Sequence, residues 1–473
     1  MKAARRWPYV CGLVLLALIP RVGALRRGLS YDELFTLTNF TSKLKEAVGG
    51  QLAANNHPLA SVLAWLARQV SEGELALRVP FALLGALAAG ALCWALWPIG
   101  RRRAWLAGGF LALAPPAILA SQQVRGYSGA ILFGALALGG YIRCSQKGRA
   151  RDVLTLIFAG GLGLWSHPTI GLGLVALGLA TLRYGSGPNA ACRRGLAGAF
   201  SLGILLWLPI LSRTLKFVLK NLFVGPAGGY HPGPLTLSKL ATAGGGVPLA
   251  LGLLGLSLLA GVAFWRRAGA PKGGLEFGAW RQGWAAVSLW ALAPIPLLLL
   301  SALGYGRFAW FAWPAWAALG AAGCASIRRP VGTLLAALWL GLAGWQVAEQ
   351  NQVEIHDLRG AMRVAEERSV QLGFATILAL GPGSELLPFY GGPLAIELDQ
   401  AETTLPFFLM EPAVVVIPLP ACLDQPLPLP KGAARGSEAP RTLRELLLEA
   451  GVVDPIVLPG LESPVLVFST RGP

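Results

Sequence analysis

Two adjacent carboxylates, Asp32 and Glu33, stand in the stretch Ser30-Tyr31-Asp32-Glu33-Leu34, directly after the first apolar run of the chain. A carboxylate beside an apolar wall suits a base that takes the proton of an attacking hydroxyl. The pair, with His57 close by in sequence, also suits a divalent cation, which prefers oxygen ligands. The plainer reading is a helix start, with Ser30 as cap and Glu33 three residues on. Arginine is the second signal. Arg125, in Ser121-Gln122-Gln123-Val124-Arg125-Gly126-Tyr127, and Arg307, in Tyr305-Gly306-Arg307-Phe308, each interrupt apolar surroundings. A guanidinium presents a planar fork that matches phosphate oxygens, although an arginine at the end of an apolar segment also snorkels to lipid headgroups. His57 precedes Pro58 at a helix start, and His167 precedes Pro168, where the pair also marks a turn. Lys216, Lys220, Tyr230 and His231 fall in a Gly- and Pro-rich stretch, 212–245, long enough for a functional lid or a passive connector. Tyr31, Asn56, Gln122, Tyr127 and Tyr305 complete the set of residues that could line a pocket.

The elements that position these residues are transmembrane helices. The chain has 473 residues, of which 54 % are apolar and 13 % charged, with a mean hydropathy of +0.57. Soluble domains carry about 25 % charged residues, so water is the wrong solvent for most of this sequence. Apolar runs recur from Trp7 to Val347, each near the roughly 20 residues a helix needs to cross a bilayer. The net charge of +17 does not indicate a nucleic-acid partner. Residues 1–348 hold 32 basic against 7 acidic residues, and 349–473 hold 8 against 16. The basic residues sit in short clusters between apolar segments, as membrane topology requires, and not on one soluble face. The six cysteines form no CxxC pair, so neither a disulfide framework nor a zinc site is indicated.

Eleven spans follow: 7–25, 75–97, 104–120, 126–142, 153–166, 168–182, 195–211, 246–265, 284–304, 308–325 and 331–347. With the N-terminus in the cytoplasm, every even-numbered span is followed by a basic cluster, among them Arg101-Arg102-Arg103, Arg193-Arg194 and Arg328-Arg329. The first span imitates a signal peptide but ends in Ala24-Leu25-Arg26-Arg27 without a small-residue cleavage site, and is read as uncleaved. The apolar stretch 153–182 is divided at His167-Pro168, because one span there would invert every later cluster. Residues 57–70 are too few to cross, and read as an amphipathic helix lying at the outer interface within a first outer loop, 26–74. This topology places the candidate residues on one outer face. Ionisable groups at membrane depth cost about 2.5–3.5 kcal/mol on insertion scales, so they usually mark a site.

After residue 348 the pattern changes. A helix over 353–370 precedes strands at Phe374–Leu380, Val414–Ile417 and Val465–Phe468, with a helix over Thr442–Ala450 and a long loop between Pro418 and Pro440. The expectation is an α-helical polytopic membrane protein, 1–348, with a small extracytoplasmic α/β domain, 349–473.

In this order the residues resemble a known group, the GT-C glycosyltransferases of the dolichyl-phosphate-mannose protein mannosyltransferase superfamily (family 39-like), including bacterial lipid A aminoarabinose transferases. The similar pieces are Asp32-Glu33, Asn56-His57-Pro58-Leu59, Glu74 to Gly85, Ser121 to Tyr127, and Arg307-Phe308 with Pro314. Leu59, Phe308 and Gln123 depart from the family's usual proline, tyrosine and glutamate. The resemblance implies a polyprenyl-phosphate monosaccharide donor and makes Asp32 the leading catalytic carboxylate, with Glu33 orienting the acceptor or a metal. Arg125, Arg307, His57, Lys216 and Lys220 then become candidates for the donor phosphate. The acceptor would be a glycan, lipid or protein, and the location the bacterial inner membrane. The rival is a multispan transporter or lipid or sugar flippase, which predicts polar residues near the midplane, broken helices and inverted repeats.

Overall fold

The computed structural model describes residues 6–50, 56–184, 189–223, 245–268, 275–296, 306–352 and 358–371, together with the strands and a few further positions of the C-terminal part. The chain divides into two compact units. One comprises Met1–Leu25 and Phe40–Glu349, the other Arg26–Asn39 and Gln350–Pro473.

The first unit is helical. It contains α1 (Trp7–Val22) and, after α2 (Tyr31–Phe40) of the second unit, α3 (Leu44–Gly49), α4 (Pro58–Arg68), α5 (Glu74–Leu96), α6 (Arg101–Leu113) and α7 (Pro115–Ser121). Then come α8 (Tyr127–Lys147), α9 (Ala150–Ser166), α10 (Ile170–Tyr184), α11 (Asn189–Phe223), α12 (Val247–Ala268) and α13 (Leu275–Leu292). A 3₁₀ turn, Gly306–Ala312, leads into α14 (Trp313–Ser326) and α15 (Arg329–Gln350). Four helical stretches are long and apolar enough to cross a bilayer: Glu74–Ile99, Tyr127–Lys147, Ala190–Lys216 and Arg329–Gln350. The bent pair α6–α7 makes a fifth, and shorter apolar helices include α1, α4 and α10. The molecule is a mostly helical multispan membrane protein.

Proline explains the breaks. Span 104–120 was expected to be continuous, but α6 and α7 meet at 61°. Ala114, before Pro115-Pro116, is extended at ψ 115°, because a residue preceding proline avoids the helical region. His167, before Pro168, is extended in the same way (φ −159°, ψ 128°) and separates α9 from α10 where the charge pattern required it. The expected span 308–325 begins instead as the 3₁₀ turn, with Pro314 in the first turn of α14. The expected loop 212–245 starts later, since α11 continues to Phe223. No Gly or Pro interrupts Ser212–Phe223, and the first such signal is Gly225-Pro226.

Small residues let these helices approach closely, as is usual within a membrane. A Cβ on Gly140 of α8 would stand 2.9 Å from the Leu156 backbone nitrogen of α9. Some polar atoms of the core are matched. Tyr141 Oη shares a 3.0 Å hydrogen bond with Thr181 Oγ1 and accepts from Gln282 Nε2 at 3.1 Å. Trp290 Nε1 donates to the Phe311 carbonyl at 3.1 Å, tying the 3₁₀ turn to α13.

The second unit contains α16 (Leu358–Gln371) and β1 (Thr376–Leu380), β2 (Leu394–Ile396), β3 (Ala413–Ile417), β4 (Val452–Leu458) and β5 (Val465–Thr470). The sheet order is β2-β1-β3-β5-β4, parallel between β1 and both of its neighbours and antiparallel beyond β3. β1, β3 and β5 match expected strands. β2 and β4 are not among the expected strands, and β4 carries Asp454-Pro455. The structure accepts that proline on an edge strand, at a register shift between Val453 and Ile456. The start of the expected 442–450 helix is capped reciprocally: Thr442 N–H donates to Glu445 Oε2 at 2.7 Å, and Glu445 N–H to Thr442 Oγ1 at 3.2 Å. The stretch between Pro418 and Pro440 lies outside the described residues.

Candidate active site

Within the first unit, four separated segments bring their polar residues together. His57 caps α4, Arg125 and Tyr127 flank the start of α8, His167 follows α9, and Arg307, Phe308 and Trp310 stand on the 3₁₀ turn. The rings of His57 and His167 stack at 4.7 Å between centroids, and Tyr127 lies 5.7 Å from the first and 5.0 Å from the second. Trp310 meets Tyr127 edge-on at 5.2 Å, Phe308 lies 5.5 Å from His167, and the Arg125 guanidinium carbon is 5.9 Å from the Tyr127 ring. His57, Arg125, Tyr127, His167 and Trp310 are all buried, and Arg307 is half-buried.

Two backbone features allow the cluster to form. Gly126 lies so close to the end of α9 that a Cβ there would stand 1.9 Å from the Ser166 carbonyl oxygen and 3.1 Å from His57 Cβ. Asn56 braces His57 from behind. Its amide nitrogen donates to the Gly50 carbonyl at 2.6 Å, and its amide oxygen accepts from Ser61 Oγ at 2.7 Å.

Burial and the neighbouring arginines favour the neutral form of both histidines. Burial, then Arg125, His167 and Arg307 in that order, hold His57 well below the usual 6.5, against a hydrogen bond to the Ser166 backbone that raises it. Burial, then Arg125 and Arg307, lower His167 to about 3. His167 Nδ1 accepts the Thr169 backbone N–H at 3.3 Å and lies 2.7 Å from Thr169 Oγ1. That contact assigns the ring proton to Nε2, which is buried without a partner. Among the described residues, His57 Nδ1, Tyr127 Oη and Trp310 Nε1 are likewise buried without hydrogen-bond partners. Buried polar atoms are rarely left so. Among the described residues no three His, Cys, Asp or Glu side chains come together.

Gln122 is buried and donates to the carbonyls of Pro20 and Arg21 at 3.2 and 3.3 Å. Lys216 is exposed on α11. The side chains of Tyr31 and Lys220, and all of Tyr230, His231 and Tyr305, lie outside the described residues. Asp32 and Glu33 lie on α2, in the second unit. Glu33 is buried, and its Oε2 accepts from Ser30 N–H at 2.8 Å and Ser30 Oγ at 2.9 Å, while Asp32 is half-buried. The helix-start reading of Ser30 and Glu33 is thus present in the structure. Two further residues, Trp310 and Arg21, enter only with the structure. Trp310 resembles any of the 16 tryptophans of an apolar chain, whereas Arg21 was detectable as a charge inside the first apolar run.

Fold and site together define a multispan membrane protein with a buried cationic and aromatic cluster. Over its whole length the chain is similar in fold to ArnT from Cupriavidus metallidurans. The apo structure of that protein gives a TM-score of 0.57 at 14 % identity, covering 99 % of this chain and 98 % of that one. Its structure bound to undecaprenyl phosphate gives 0.56 at 13 %, with the same coverage. The likeness seen in the motifs therefore holds at the level of fold. No protein-family model and no curated protein matches the sequence.

Proposed function

We propose that this protein is an inverting glycosyltransferase. It moves a monosaccharide from a polyprenyl-phosphate donor to a hydroxyl or phosphate of a glycan, lipid or protein acceptor on the outer membrane face. The observation that carries the reading is the convergence of Arg125 and Arg307 on two histidines in one buried aromatic cluster. ArnT, whose fold the chain shares, has been seen with undecaprenyl phosphate bound, which supports a lipid phosphate as the anion here.

In this mechanism the acceptor oxygen attacks the anomeric carbon, the bond from that carbon to the phosphate oxygen breaks, and the lipid leaves as a phosphate monoester. Asp32 takes the acceptor proton. Phosphate leaves readily, so the site need supply only charge stabilisation. Arg125 and Arg307 provide it, in a place where water does not compete. The Nε2–H of His167 adds a neutral donor to a phosphate oxygen. His57 is bonded to the Ser166 backbone and offers a lone pair at Nδ1, which suits a sugar hydroxyl. Tyr127, Trp310 and Phe308 give apolar faces for the sugar ring. Asn56 and Gln122 act as braces, and Glu33 fixes the start of the helix bearing Asp32. The eleven-span topology and an outer C-terminal domain belong to the same proposal.

One observation favours the transporter reading: the α6–α7 break is a discontinuous helix of the sort transporters use. The deciding experiment offers purified protein a set of polyprenyl-phosphate sugars and follows sugar transfer or release by mass spectrometry. Consumption of a lipid-linked sugar, abolished in Asp32→Asn, is the expected result. Movement of an intact lipid-linked sugar across vesicles, with no turnover, would replace this reading by the transporter.

A further inference from the structure

Arg21 lies in the last turn of α1, wholly buried, and the reaction above does not use it. Its Nη1 donates to the carbonyls of Ala17, at 2.6 Å, and of Ala112 near the end of α6, at 2.8 Å. The second bond answers a defect. In an unbroken helix Ala112 O would accept from the N–H four residues on, but that residue is Pro116, which has none. Within a bilayer no water replaces the lost donor, so α1 supplies it. The brace is returned from the other side. Gln122, just past α7, donates to the carbonyls of Pro20 and Arg21, whose intrahelical partners are missing at the end of α1. Gly85 of α5 makes room for Arg21 and for the end of α7, since a Cβ there would come 2.4 Å from Ser121 Cβ and 2.9 Å from Arg21 Nε. Nε and Nη2 of Arg21 are buried without partners. An unneutralised buried cation is a poor stabiliser, but it is a rigid anchor for two carbonyls.

We propose that Arg21 is a positioning residue: it sets the α6–α7 break and, with Gln122, fixes the segment Ser121–Tyr127 that carries Arg125. The ligand readout of this proposal rests on reading the cluster as a lipid-phosphate site, but its structural readout does not. The test compares the parent with R21K, R21M, Q122M and R21M/Q122M in detergent. It measures backbone hydrogen exchange over 114–127 and 130–145, and titrates undecaprenyl phosphate. R21M should raise exchange over 114–127 only and weaken lipid-phosphate binding roughly tenfold, the effect of one misplaced charge-assisted contact. R21K, which keeps a donor, should recover part of both. The double variant should bind no more than about twofold more weakly than R21M, because the two changes cut one joint. Parent-like exchange in R21M, or binding losses that multiply in the double variant, would overturn the proposal. If R21M does not fold, Q122M must show the same loosening over 114–127 or the brace is refuted. If the parent binds no lipid phosphate, the functional reading fails, and the exchange pattern alone decides the role of Arg21.

Discussion

A guanidinium and an imidazole contribute differently in the same buried place. A guanidinium presents a fixed fork of donors, whereas burial together with Arg125 and Arg307 lowers the imidazoles of His57 and His167 below their usual range. Removing Arg125 therefore removes a charge-assisted contact worth about 1.5–3 kcal/mol. Arg125→Met should lower the turnover of a polyprenyl-phosphate sugar by roughly 10- to 100-fold, and Arg125→Lys by less, as measured by kcat/KM. The histidines predict a pH dependence of stability. Unfolded imidazoles titrate near 6.5, while folded His167 does so only at about 3. Below about pH 6.5 the unfolded chain binds protons that the folded chain does not. Stability then falls with pH by up to about 1.4 kcal/mol per unit for each histidine, and above neutrality neither contributes a slope. His167→Gln should make the Tm fall less steeply between pH 7 and 4.5 than in the parent. Parallel curves would show that the imidazole charges within the fold.

At the scale of elements, the site depends on two close approaches: α8 to α9 at Gly126, and α7 to α5 at Gly85. A methyl at Gly126 must displace either the Ser166 carbonyl or the α8 start, and so moves His57 and His167 relative to Arg125. Gly126→Ala should destabilise by about 1–3 kcal/mol and weaken lipid-phosphate binding. Gly12→Ala, where a Cβ meets nothing within 4 Å, should be neutral or gain up to about 1 kcal/mol from helix propensity. Thermal unfolding of the two variants side by side checks both. The elements themselves were largely legible in the sequence. Hydropathy marked the helices, and the arginine clusters divided 153–182 into two. Continuity was not legible for 104–120, because hydropathy averages over Pro115-Pro116 and records no bend. β4 was hidden for a related reason: a proline is tolerated only at a sheet edge, and edges exist only once strands are paired.

For the whole molecule, the positive-inside pattern makes a directional prediction. In a background lacking Cys11 and Cys422, Ser71→Cys should react with an impermeant thiol reagent in intact cells. Lys147→Cys should react only after permeabilisation. Both positions are exposed, and the four remaining cysteines are buried, so each signal has one source. The reverse pattern would invert the topology and move the site to the other membrane face.

Sequence alone determined the solvent of this protein and the order of its parts, since hydropathy, charge clusters and prolines are local quantities that survive without a fold. It also named Arg125, Arg307, His57, Tyr127 and His167 as residues out of place in apolar surroundings. Only the tertiary structure decided that these five, from segments up to 250 residues apart, share one cluster, that burial there favours the neutral form of both histidines, and that Asn56 and Gln122 brace backbone carbonyls. Protonation and hydrogen-bond partnership depend on neighbours brought by packing, and no spacing along the chain encodes them. The catalytic role proposed for Asp32 rests on chemistry and resemblance, and the lipid-linked sugar assay is its test.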